Sequence, residues 1–204
     1  METGKSMTTG RHLFSFGSRQ LDLSRPQVMG ILNLTPDSFS DGGELLKAGK
    51  PALELVRARA QAMVSAGASM LDIGGESTRP GARQVSSAEE LDRVLPVLEA
   101  LQELDVVLSV DTSNPALIRA GEQYGPGLVN VVGALERPGA LEALAGQSMS
   151  VCRMHMQGRP APMQEGPALT DVVSESGPDR YHRGAGGEAG GRGHEQLRLD
   201  PGFG

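Results

Sequence analysis

Along most of the chain, short apolar runs alternate with longer stretches of helical periodicity. The runs predict strands over 27–32, 69–73, 106–110, 128–132, 150–154 and 196–199. Between them, 51–66 reads as a helix with Pro51 in its first turn and Leu53, Val56, Ala60 and Met63 on one face. Residues 87–101 open with Ser87 and Glu90 in the spacing of a capping box, and Leu91, Val94, Leu95 and Leu98 follow on one side. Helices over 113–123 and 138–146 complete the set. Near-continuous apolar strands that alternate with amphipathic helices predict an α/β fold, with a parallel sheet covered by helices.

Two architectures fit this order: a doubly wound open sheet and a (β/α)8 TIM barrel. The polar residues separate them. Asn33, Asp72, Asp111, Asn130, His155 and Asp200 each stand at or just past the C-terminal end of an apolar run. Polar groups converging from so many strand ends suit the catalytic face of a barrel better than the single crevice of an open sheet. No G-x-G-x-x-G follows the first strand, which argues against a dinucleotide site. The expected fold is therefore a TIM barrel, incomplete because six strand candidates are present where a barrel needs eight. Unpaired edges on the first and sixth strands follow from that count.

Residues 1–11 are expected to be a flexible N-terminus and 12–204 a partial barrel domain. Within it, 176–193 reads SGPDRYHRGAGGEAGGRG, with no Leu, Ile, Val, Met or Phe. A barrel requires a helix there, yet interior glycines cost about 1 kcal/mol each relative to alanine and this segment has little to bury. It reads either as an insertion or as a helix replaced residue for residue by a locally shifted reading frame. The coding DNA from the Glu175 codon onward distinguishes the two.

Composition narrows the function classes. The 204 residues carry a formal net charge of −6, which argues against non-specific nucleic-acid binding but leaves room for an anionic small substrate gripped by local arginines. The single Cys152, inside an apolar run, is expected to be a buried inert thiol and excludes an intrachain disulfide framework. No apolar stretch reaches the roughly 20 residues of a membrane span, and METGKSMTTG lacks a signal-peptide core, so a cytoplasmic location is expected.

Four clusters could carry chemistry. Asn33 ends the first strand, where its amide oxygen could ligate Mg2+ or its NH2 donate to a phosphate. The following loop places Phe39 among Asp37, Asp41, serines and glycines, as a lid over a flat substrate would; a plain Asp/Ser/Gly turn is the alternative. Asp72 leads into GGESTRPG, where glycines let the backbone approach a ligand and Arg79 could grip phosphate oxygens; a simple turn with a solvated arginine competes. Asp111 and Asn130 form an acceptor and donor pair suited to the amino-imino edge of a pterin or purine, unless Asp111 only caps the helix near Ser113. His155 in MHMQG is a lone histidine, for which a structural role is favoured over a catalytic one. There is no H-E-x-x-H, Walker A or G-x-S-x-G motif.

The stretches VMGILNLTPDSFSDGG, GASMLDIGGESTRPGA, LSVDTSNPALIRAG, VCRMHMQG and LRLDPGFG closely resemble, in order and spacing, the dihydropteroate synthase family, the folate-pathway enzymes targeted by sulfonamides. The resemblance covers about 12–175 and 194–204. It implies a TIM barrel that joins p-aminobenzoate to 6-hydroxymethyl-7,8-dihydropterin diphosphate, releasing pyrophosphate and using Mg2+. By that resemblance Asp111, Asn130 and Asp200 hydrogen-bond the pterin, and Asn33 meets the Mg2+-diphosphate. Loops carrying Phe39 and Asp41, and Thr78, Arg79 and Pro80, form the p-aminobenzoate site. Asp72 is grouped with the p-aminobenzoate and diphosphate contacts, and Asp41, Phe39 and Arg79 are the expected catalytic residues. Sulfonamides would compete, and neither nucleic acid nor membrane is an expected partner.

The chain departs from the family pattern in three places. Val131 stands where the family usually has Asp directly after the strand-end Asn. The family's later Ser-Arg-Lys loop and final Arg-x-His strand are not in this sequence, and the helix expected near 176–193 is missing. The chain as given is therefore expected to lack activity, and the family's homodimer, formed through helices missing here, is not expected of it. Two competing readings are a non-functional fragment and another pterin-binding barrel of methyltransferase type, although TPDSFSDGG and GESTRPGA are not expected in the latter.

Overall fold

The computed structural model describes residues 12–36, 45–77, 85–131, 137–154 and 197–200. The six predicted strands form one parallel sheet. They are β3 (Val28–Asn33), β6 (Ala68–Gly74), β7 (Val107–Asp111), β8 (Leu128–Val131), β9 (Ser150–Met154) and β10 (Leu197–Asp200). Their spatial order is their sequence order, from β3 at one edge to β10 at the other. This is the order in which a barrel is wound, and it excludes the doubly wound alternative, in which the order reverses partway. The expected segments 1–11 and 176–193 lie outside the described residues.

Helices α1 (Leu53–Ser65), α2 (Ser87–Leu101), α3 (Pro115–Gly121) and α4 (Ala140–Leu144) connect successive strands. Alternation along each strand divides the side chains between two faces. Leu71, Ile73, Leu108 and Val110 join Val56, Ala60, Val94, Val97 and Leu98 in the main core on the helical side. Val129, Val131, Ile118, Ala143 and Leu144 form a second helix-facing cluster. Met70, Val107 and Leu128 belong instead to a third cluster on the concave side.

The N-terminal contacts of α1 and α2 differ from expectation. Pro51 pairs with Leu46 in a two-residue ladder between β4 (Leu46–Lys47) and β5 (Lys50–Pro51), so it precedes α1 instead of opening it. The N-cap of α2 is Ser86, whose hydroxyl accepts from the Glu89 amide, so the Ser87–Glu90 capping box does not form. Helix α3 is capped by Asn114, whose side chain accepts from Ala116 N at 3.0 Å. That leaves Asp111 without a capping duty.

An N-terminal hairpin of β1 (Leu13–Phe16) and β2 (Arg19–Asp22) was not expected from the sequence. It covers the N-terminal end of the concave side, where Phe16 packs with Met70, Val107 and Leu128. Ser150 Oγ donates to Ser15 O at 2.8 Å, and Gly127 lies so close that a Cβ there would sit 2.6 Å from Phe16 O. An open cavity of about 530 Å3 remains at this end, lined by residues 23–27 together with Phe16, Met29, Met70, Leu128 and Cys152. Cys152 is thus half-buried at a cavity wall, where full burial was expected.

Candidate active site

Strand register brings the predicted polar residues together at the opposite, C-terminal end. Asn33 pairs with Gly74, Gly74 with Asp111, Asp111 with Asn130, and Asn130 with Cys152, forming one row across five strands. The absent side chain at Gly74 leaves a gap in that row. A Cβ there would lie 3.6 Å from Asn33 Oδ1 and 3.7 Å from Asp111 Oδ2, so any larger residue would fill the space between them. Asn33 and Asp111 make no side-chain hydrogen bond with the described residues, and both present polar groups to that space.

Asp72 lies two residues before Gly74, one row deeper, and is buried. Ser109 Oγ donates to one of its carboxylate oxygens at 2.5 Å, and Asn130 Nδ2 donates to the other at 3.0 Å. Both of its carboxylate oxygens are thus engaged inside the sheet, one row below the gap at Gly74. What Asp72 does there is fix the rotamer of Asn130, since an amide whose NH2 is taken leaves its oxygen to face outward. Burial raises the Asp72 pKa, and the Ser109 and Asn130 hydrogen bonds oppose that rise.

Asp111 is pushed well above the ordinary carboxylate value of 3.8, first by burial and then by the like charges of Asp72, Glu90 and Glu76. Such a group favours a ligand that presents N–H donors, because donation to the carboxylate offsets both its desolvation and its repulsion. Asp111, with no side-chain hydrogen bond among the described residues, and the outward-facing Asn130 oxygen present two acceptors instead of the expected acceptor and donor pair, an arrangement that suits a planar ligand edge carrying N–H donors. The pocket has no nucleophile and base pair among the described residues, and no group of three or more His, Cys, Asp or Glu there could hold a metal ion.

Val131, the departure from the family pattern, is fully buried in the helix-facing cluster with Ile118 and Val129. Its side chain is on the opposite face from Asn130, so a carboxylate at this position would not have faced the concave pocket. Asp200 pairs in register with Met154 on the neighbouring strand, which places it at the C-terminal end of β10. Phe39, Asp41, Thr78, Arg79, Pro80 and His155 lie outside the described residues.

Behind this row is a polar network that the sequence did not disclose. Glu90 of α2 is 1% exposed and accepts from Thr112 Oγ1 at 2.5 Å and Asn114 Nδ2 at 2.9 Å. Arg137, in the connection after β8, lies 3.7 Å from Glu90 and 2.5 Å from Glu76. Arg93, also buried, donates to Gly75 O at 2.7 Å and to Glu89 at 2.6 Å. The one available signal was an acid and an arginine, Glu90 and Arg93, beside the apolar face of a predicted helix.

Comparison with known proteins places this geometry. The family model described as pterin binding enzyme matches residues 29–204. A dihydropteroate synthase of Escherichia coli is 50% identical over 196 residues, covering 94% of this chain and 66% of that protein. One from Neisseria meningitidis serogroup B is 43% identical over 198 residues, covering 95% of this chain and 67% of its own length. Among solved structures, Yersinia pestis dihydropteroate synthase with a sulfonamide drug complex superposes with a TM-score of 0.84 at 50% identity, over 94% of this chain and 68% of that one. The Xanthomonas albilineans enzyme with 4-aminobenzoic acid gives a TM-score of 0.77 at 42% identity, over 96% of this chain and 68% of its own. The chain spans 66% of the length of the E. coli relative.

Proposed function

The chain belongs to the pterin-binding enzyme family, and from that premise we propose that its function is the dihydropteroate synthase reaction. It would bind 6-hydroxymethyl-7,8-dihydropterin diphosphate and join it to p-aminobenzoate with release of pyrophosphate. The observation that carries this reading is the Asp72–Asn130–Asp111 arrangement, in which a buried carboxylate orients an amide next to a carboxylate with no side-chain hydrogen bond among the described residues. Asp111 would accept from the amino-imino edge of the pterin, and the Asn130 oxygen would face a second ring N–H. Asp200, at the end of β10, is the further pterin contact proposed from the family motif LRLDPGFG.

Diphosphate leaves from a methylene attached to an electron-rich ring, so positive charge develops on the pterin. Carboxylates fixed beforehand around that ring stabilise the charge without having to reorganise. The arylamine nitrogen then forms the new C–N bond as the C–O bond to diphosphate breaks, and its proton leaves to solvent. No covalent enzyme intermediate is needed. Arg79 would take the negative charge of the leaving group, with Thr78, Pro80, Phe39 and Asp41 around the arylamine.

A Mg2+ ion fits the strand-end row. The Asn33 oxygen faces the gap at Gly74 with no competing hydrogen bond among the described residues, and Mg2+ commonly takes one or two protein oxygens and completes its shell with water and phosphate. Asn33 would hold it, and the ion would supply Lewis-acid stabilisation of the diphosphate. The proposed location is cytoplasmic. In its support, no helix among the described residues is long and apolar enough to cross a membrane.

The test is titration of the 204-residue protein with the pterin diphosphate, followed by p-aminobenzoate and Mg2+. Saturable pterin binding that falls at least about tenfold in Asp111→Ala supports the reading; binding that is absent or indifferent to Asp111 overturns it. Pyrophosphate release in the same experiment bears on the expectation of an inactive chain. In a chain that turns over, Phe39→Ala should raise the KM for p-aminobenzoate more than it weakens pterin binding.

A further inference from the structure

We propose that Glu90, acting with Arg137, is a positioning residue for the pterin half of the site, gathering the connections after β6, β7 and β8 so that Asp111 and Asn130 are held ready for the ligand. The proposal rests on the pterin reading above. It starts from an oddity of α2. That helix buries Val94, Val97, Leu98 and Leu101, and a hydrophobe at position 90 would continue the same face. A buried carboxylate instead carries a desolvation penalty that only well-placed partners offset. Packing of α2 does not require it, so its partners are the reason to look for.

Those partners come from successive strand ends. Thr112, the residue after Asp111, gives its hydroxyl proton to Glu90 at 2.5 Å, while its backbone amide donates to Asn130 O at 3.0 Å. The residue adjoining Asp111 is thus fixed from both sides, by α2 and by β8. Asn114 donates to the other Glu90 oxygen at 2.9 Å, and its own amide donates to Thr112 Oγ1 at 3.0 Å, which locks the turn that leaves β7. Arg137 extends the chain of contacts. It pairs with Glu76 at 2.5 Å and faces Glu90 at 3.7 Å, and Glu76 in turn accepts from Val85 N at 3.4 Å. Glu90 and Arg137 act on the site through Thr112 and Glu76.

The experiment compares Glu90→Gln, Arg137→Gln, their double variant and Val97→Ala in the 204-residue protein. Val97 is buried on the same helix and makes no contact of this network, so its variant reports loss of packing alone. Glu90→Gln keeps the shape but places an NH2 where a donor already points. We expect it to weaken binding of 6-hydroxymethyl-7,8-dihydropterin about tenfold and to speed amide exchange over residues 111–116 by a similar factor. Arg137→Gln, at a half-exposed position, should weaken binding by about threefold to tenfold. Arg137→Lys should recover part of that, since one nitrogen can serve one carboxylate but not two. The double variant should lose no more than Glu90→Gln, the mark of residues acting as a unit. Val97→Ala should lower the melting temperature while leaving affinity within about twofold. Affinity and exchange that track stability in all variants alike would overturn the proposal. A wild-type protein that binds no pterin would overturn the pterin reading, and exchange at 111–116 would still decide whether Glu90 holds that segment.

Discussion

Asp111 sits among three carboxylates that oppose its ionisation. Its pKa is raised in the folded chain, so the native state holds a proton that the unfolded state has released. Stability from this group is fully present below 3.8 and falls as pH rises from there toward the higher folded value. Asp111→Asn removes the penalty and should raise the melting temperature at pH 7 by about 2–4 °C, while weakening pterin binding at least tenfold. Thermal melts at pH 4 and pH 7 check the sign, because the gain should shrink at the lower pH. Ligand donors pull the Asp111 pKa back down, so pterin binding should release protons, measurable as a buffer-dependent binding enthalpy. Asp111 and Asn130 were legible because each is a polar residue ending an apolar run. Glu90 was misread as half of a capping box, since its true partner Thr112 lies 22 residues away and local spacing cannot show it.

The helices and the hairpin are anchored to the sheet by different means. At α2 the Ser86 hydroxyl accepts from the amide of Glu89 as an N-cap, so Ser86→Ala should cost about 1 kcal/mol in denaturant unfolding. That hydrogen bond lies outside the Asp72–Asn130–Asp111 cluster, and pterin affinity should be unchanged. The hairpin depends on close approach. Alanine at Gly127 would meet the backbone of Phe16 at 2.6–2.8 Å, and backbone cannot swing aside as a side chain can. Gly127→Ala should therefore cost about 1–3 kcal/mol by overpacking, with exchange over residues 13–22 accelerated beyond the rest of the chain. The main strands were legible from their apolar runs to within a residue or so at each end. The hairpin was not, because β1 and β2 are short, and what stabilises them is contact with residues such as Ser150, 135 positions away from Ser15.

At the scale of the molecule, protection should follow position in the sheet. Strands β6 and β7 are paired on both sides and packed on the main core, whereas β10 has one described neighbour, so native-state exchange should be slowest in β6 and β7 and faster in β10. Equal protection across all six strands would contradict the pairing order. The sequence by itself determined the α/β class, the succession of strands, the family resemblance and the convergence of Asn33, Asp111 and Asn130 on one end. It could do so because period-2 and period-3.6 patterns, and a polar residue closing an apolar run, are local properties of the chain. Tertiary structure alone decided which polar groups meet. Asp72 turns inward to orient Asn130, Val131 faces the helices, and Glu90 leaves its own helix to hold Thr112 and Asn114. Each outcome depends on the strand register and the face a side chain takes across it, and these are fixed only when distant segments pack.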